Sequence, residues 1–142
     1  MEVSRMDSRK CQTSRVPRQS RGISCFWLMA TRRYVPDAGD VVWLEFDPQA
    51  GHELAGHRPA VVISPASYNR RSGLMVCCPM TTQIKGYPFE VSFEADGAAS
   101  AVLADQVKSL DWKVRRARKK GAVPADVMTH VRAKIKALLI IR

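Results

Sequence analysis

Between Tyr34 and Leu110 apolar side chains recur at every second position in short runs, whereas after Pro124 they recur every three or four. The first spacing belongs to strands, whose successive side chains face opposite ways, and the second to a helix. A chain that uses one and then the other has few folds open to it. Val42, Leu44 and Phe46 alternate with Val41, Trp43 and Glu45, which predicts a strand, and residues 59–64 form a short apolar run of the buried-strand kind. Leu74 to Pro79 predicts another strand. Phe89, Val91 and Phe93, interleaved with Glu90, Ser92 and Glu94, give the clearest one, and Ala101 to Ala104 and Gln106 to Leu110 give two further short ones. A polar, glycine-containing loop is expected from Asp47 to Arg58, and a turn or single helical turn over residues 65–73. At the end of the chain Val127, Val131, Ile135, Leu138 and Leu139 define one buried helical stripe, with Asp126, Arg132, Lys134 and Lys136 on the other positions. Pro124 suits the first turn of that helix, and Arg142 suits its negative end. Short strands followed by one covering helix predict an α+β class, a small β-barrel closed by a C-terminal amphipathic helix.

The 142 residues suffice for one domain with its own core. Residues 1–28 read differently from the rest, being rich in Arg and Ser and without a period until Ile23. We expect them to be a disordered basic extension or an over-extended reading frame ahead of Met29, with a single domain over 29–142. The net charge is +10, and because residues 1–28 hold six basic and two acidic side chains, 17 basic against 11 acidic remain in the body. A body of that charge points to a polyanionic partner, either nucleic acid or an acidic protein segment. No apolar run is long enough for a membrane-spanning helix. Cys77 and Cys78 are adjacent on a strand and so face opposite ways, which disfavours a shared metal or a disulfide and favours reduced thiols in the cytoplasm. His52, His57 and His130 show no zinc-ligand spacing, so no metal or cofactor is expected.

Two loops carry reactive groups. Residues 51–60 hold Glu53, His57 and Arg58, and residues 79–88 hold Thr81, Thr82, Gln83, Lys85 and Tyr87. Loops on a rigid sheet are favoured places for sites. RNA can be cut by its own 2′-hydroxyl, and a protein then supplies a proton acceptor, a proton donor and groups that face the phosphorane's growing charge. Arg58 fits the last task because its planar fork matches phosphate oxygens, and Thr81 can donate to the same oxygen. Glu53 or His57 can move protons. Taken by residue type alone, a solvated loop Arg and a turn Thr explain the same positions. Lys85 and Tyr87, with Arg70 and Arg71, offer charge and stacking for a single strand. A solvated charge run is the default for Arg115, Arg116, Arg118, Lys119 and Lys120, with a patch that steers the RNA backbone as the alternative. Core or dimer-interface packing is the default for Trp43 and Trp112.

From Arg33 onward the chain resembles the MazF/PemK toxin family. The resemblance is carried by Arg33-Tyr34-Val35-Pro36-Asp37-Ala38-Gly39-Asp40, by Trp43 with Phe46-Asp47-Pro48, and by Gly56-His57-Arg58-Pro59-Ala60-Val61-Val62. It continues in Thr81-Thr82-Gln83, in Lys85-Gly86-Tyr87-Pro88-Phe89-Glu90-Val91 and in Ala104-Asp105-Gln106-Val107-Lys108-Ser109. It implies an SH3-like barrel of the Kid/CcdB type, a homodimer, and metal-independent, sequence-specific endoribonuclease activity on single-stranded RNA. The expected products carry 2′,3′-cyclic phosphate and 5′-hydroxyl ends, and ACA is a first guess at the cleaved sequence. It further implies that Arg58 and Thr81 are the catalytic pair and that Glu53 is a loop acid needed for activity. Asp105 matches an acid that PemK/Kid-type members use in acid–base work. By residue type, His57 is a further candidate for acid–base work or orientation, and Lys85, Tyr87, Arg70, Arg71 and Gln83 are candidates for binding RNA. The implied partner is a MazE-like antitoxin whose acidic tail occupies the basic groove. A CcdB-like inhibitor of gyrase and a non-catalytic nucleic-acid-binding barrel share the fold and are the alternatives.

Overall fold

The computed structural model describes residues 33–47, 51 and 56–142, and in it both spacings become the expected elements. The strands are β1 (Asp40–Glu45), β2 (His57–Val62), β3 (Leu74–Thr81), β4 (Glu90–Ala95), β5 (Ala98–Leu103), β6 (Lys108–Asp111) and β7 (Arg118–Ala122). Helix α1 (Ala66–Ser72) follows β2, and helix α2 (Ala125–Leu138) follows β7. The strands form a curled antiparallel sheet in the order β4-β5-β3-β2-β1-β7, with β6 also paired to β3. This is the α+β arrangement that the sequence predicts. Tyr34–Arg142 is one compact unit. The segment 1–28 and its boundary at Met29 lie outside the described residues.

Alternation along the strands splits the interior in two. Val41, Val61, Cys78, Met80 and Val102 face one way and pack against Val127, Met128 and Val131 of α2. Val42, Leu44, Ala60, Val62, Met75 and Cys77 face the other way and pack against Trp112. The two adjacent cysteines therefore belong to different clusters. Burial pushes both thiols up to about 12, which leaves almost no thiolate at neutral pH.

Three features are informative, the first two of them differences from the sequence-based expectation. Residues 65–73 hold a true helix, α1, which ends at Gly73 in the left-handed conformation that glycine adopts without strain (φ 74°). Its fully buried Asn69 explains the helix better than any apolar period. The Asn69 Nδ2 donates to Pro36 O (2.8 Å) and Ser64 O (3.1 Å), and its Oδ1 accepts from Ser64 Oγ (2.6 Å). Its backbone oxygen accepts from the indole Nε1 of Trp112 (2.9 Å). The segment Arg118–Ala122, expected as a solvated charge run, is instead a strand. Its charged side chains stay exposed while its backbone pairs with β1, so no apolar pattern announces it. Finally, Asp40 sits buried at the start of β1, bonded to Tyr34 Oη (2.7 Å) and to Lys119 Nζ (2.8 Å). Burial works to raise its pKa, but the hydrogen bonds from Lys119, Tyr34 and the Asp37 amide prevail and hold it below its usual 3.8.

Two outcomes are expected. Asn69→Ala takes from Pro36 O and Ser64 O the side-chain donor that bonds them, and from Ser64 Oγ its acceptor, and should cost about 2–3 kcal/mol in urea denaturation. Asp40 contributes stability above its usual pKa, and that contribution fades as pH falls toward the lower folded value. The stability gap between wild type and Asp40→Asn should therefore be widest near neutrality and narrow between about pH 5 and pH 2, measured by denaturation at each pH.

Candidate active site

The β1–β2 loop is closed at its neck. The Phe46 amide donates to Gly56 O (3.1 Å), and the Gly56 amide donates to Asp47 Oδ1 (3.1 Å). Gly56 has φ 79°, a left-handed geometry that a side chain would strain, and it delivers the chain straight into β2. There β2 pairs with β3 through Ala60–Pro79, Val61–Cys78 and Val62–Cys77. Arg58 lies two residues before Ala60 and Thr81 two residues after Pro79, both just past the end of that ladder. Arg58 and Thr81 both line an open groove of about 730 Å³ at this end of the sheet.

Local bonding prepares each group. Thr81 Oγ1 accepts from the Gln83 amide (3.1 Å), which fixes the rotamer and leaves its own proton as the donor. The neighbouring His57 also lines the groove and sets its ring edge-on to Trp43, with centroids 5.1 Å apart at 70°. Trp43 is half-buried and forms groove wall, whereas Trp112 lies in the core as expected.

The far wall comes from the β4–β5 hairpin, through Phe93, Asp96 and Ser100, and from Lys120 of β7. Sequence reasoning missed Trp43, Asp96 and Lys120 as groove residues. Lys120 is placed by a bulge, because the β1–β7 register passes from Val41–Gly121 to Val42–Lys119 and leaves Lys120 between the two pairs. Its Nζ lies 5.4 Å from the centre of the Trp43 ring and 3.7 Å from Asp96 Oδ2. No side-chain pattern encodes that shift, since it is a property of backbone pairing.

The other expected site residues lie elsewhere. Arg70 and Arg71 occupy the last turn of α1 and do not line the groove. Gln83, Lys85 and Tyr87 follow Thr81 on the β3–β4 loop, which is exposed but pinned. Buried Glu90 accepts from the amides of Lys85 (3.0 Å) and Gly86 (2.6 Å), and Tyr87 Oη donates to Asp105 Oδ1 (2.8 Å). Asp105 is thus engaged with Tyr87 and is not among the groove-lining residues. Glu53 lies outside the described residues. Among the described residues no group of three or more His, Cys, Asp or Glu is placed to hold a metal ion.

Residues 37–139 match the family described as PemK-like, MazF-like toxin of type II toxin-antitoxin system. The endoribonuclease toxin MazF of Escherichia coli K12 is 52% identical over 107 residues, which cover 75% of this chain and 96% of that one. The crystal structure of MazF from Deinococcus radiodurans superposes with a TM-score of 0.73 at 55% identity, over 77% of this chain and all of that one. A MazE–MazF structure from the same organism matches with a TM-score of 0.69 at 55% identity, over 78% of this chain and 100% of that one.

Proposed function

The chain belongs to the PemK/MazF family of toxins from type II toxin–antitoxin systems, and from that premise we propose that it is an endoribonuclease that cuts single-stranded RNA at the Arg58–Thr81 groove. The observation that carries the reading is that Arg58 of β2 and Thr81 of β3 line one open groove.

In the proposed reaction the 2′-oxygen of a ribose attacks the adjacent phosphorus and loses its proton to a base. The bond from phosphorus to the 5′-oxygen breaks, and that oxygen takes up a proton. The products are a 2′,3′-cyclic phosphate and a 5′-hydroxyl. The Arg58 guanidinium faces the negative charge that builds on the nonbridging oxygens, and the Thr81 hydroxyl donates to one of them. His57, adjacent in sequence to Arg58 and steadied against Trp43, is placed to shuttle or orient a proton. Glu53 is the further candidate base. Asp105 serves by orienting Tyr87, whose hydroxyl it holds, and Tyr87, Gln83 and Lys85 present the β3–β4 loop to the strand beyond the cut. Arg70 and Arg71, away from the groove, act at most by long-range attraction. Lys120 takes a phosphate along the groove and exchanges its exposed contact with Asp96 for the new one.

The same groove suits an acidic peptide segment, and the proposal includes inhibition by a MazE-like antitoxin that fills it. Solved relatives from D. radiodurans are MazE–MazF complexes. A homodimer in the cytoplasm is part of the same reading.

The test is cleavage of a mixed-sequence RNA in EDTA with the ends mapped. Wild type should cut at a short recurring sequence and leave cyclic phosphates. Arg58→Ala should lower turnover by about two to three orders of magnitude, by analogy with loss of an oxyanion donor, and Thr81→Val should lower it too. Full activity in Arg58→Ala, or activity that EDTA abolishes and magnesium restores, would overturn the mechanism. A protein that binds this RNA without cutting it would be a binding barrel instead. Lys120→Ala should raise KM and flatten its dependence on log salt by about 0.7, the share of one single-strand phosphate contact.

A further inference from the structure

Arg115 is half-buried within a run of basic residues, and it spends its charge on the backbone. Its Nη1 donates to Glu45 O (2.8 Å) and to Asp47 O (2.7 Å), two carbonyls at the neck of the β1–β2 loop, some seventy residues away in sequence. Those carbonyls flank Phe46, whose amide closes the same neck onto Gly56. Beyond Gly56 come His57 and Arg58.

The post that carries Arg115 is itself rigid. Asp111 Oδ1 accepts from the amides of Lys113 and Val114 (both 2.9 Å), and the Ala117 amide returns to Trp112 O (2.9 Å). Trp112 plugs this turn into the core and bonds Asn69 through its indole nitrogen. Arg116 completes the turn in a left-handed conformation, φ 51°, that leaves Arg115 directed back toward β1. A charge-assisted donor held on such a post restrains its acceptors far more than a mobile surface lysine does.

We propose that Arg115 is a positioning residue, a clamp on the neck of the β1–β2 loop that fixes the strand end bearing Arg58. The proposal rests on the endoribonuclease reading, because its effect on turnover passes through Arg58. A misplacement of about 1 Å at such a group costs on the order of a hundredfold in rate.

The experiment uses the full chain with Arg115→Ala and Arg115→Lys. Hydrogen exchange is followed over peptides spanning residues 46–58, and kcat and KM are measured at several salt concentrations. Arg115→Ala should speed exchange in that span and lower kcat about ten- to hundredfold, while KM and its salt dependence stay within about threefold of wild type. Arg115→Lys should shift exchange and kcat in step, both recovered or both lost, and it carries the test alone if the alanine variant does not fold. Raised KM with unchanged kcat and a flatter salt dependence would overturn the clamp in favour of a phosphate contact. Unchanged exchange would overturn it outright. Should wild type fail to cut RNA, the function falls by that result, while the exchange data still decide whether Arg115 holds the loop.

Discussion

Eight residues of β3, Leu74–Thr81, hold the molecule together through backbone pairing. On one edge β3 pairs with β2, and on the other it pairs with β6 at its start and with β5 at its end. Its side chains feed both interiors, Met75 and Cys77 on one side and Cys78 and Met80 on the other. A one-residue slip of the β2–β3 ladder would exchange these sets between faces. The apolar packing that selects the register therefore also governs how β2 and β3 deliver Arg58 and Thr81 to the groove.

The cationic run that closes the sheet has a division of labour. Arg115 is turned inward onto carbonyls of the β1–β2 neck, Lys119 is locked to buried Asp40, and Lys120 is swung into the groove by a bulge. Arg118 and Arg116 face solvent. Net charge describes the attraction of such a protein for a polyanion, but neighbours in sequence here do unlike things. Each cation is set apart by the backbone that presents it rather than by its chemistry.

Much of this was legible in the chain. Strict alternation at Val91 and Phe93 and the four-residue spacing from Val127 to Ile135 report which side of each element is dry, and the fold class follows from them. Arg58 and Thr81 were legible as residue types suited to phosphate, and the family resemblance picked them out. Both stand in strands, β2 and β3, and not in the loops expected there, because backbone pairing continues past the apolar runs. Three things were hidden for physical reasons. Strand β7 is held by backbone bonds, to which a row of Arg and Lys gives no clue. Helix α1 is organised around one amide side chain, Asn69, and so lacks an apolar stripe. The Lys120 bulge arises from a register shift between two strands, which neither strand encodes alone. Glu90, which alternation groups with Ser92 and Glu94, is buried, and its carboxylate satisfies loop amides.

The β4–β5 hairpin ends in Asp96 and Gly97, both left-handed, and Asp96 forms groove wall, tied to β7 by its exposed contact with Lys120. Residues added or removed there would reshape the wall without touching the ladder under Arg58. The tip is thus the stretch of groove wall whose length can vary at least cost to the fold.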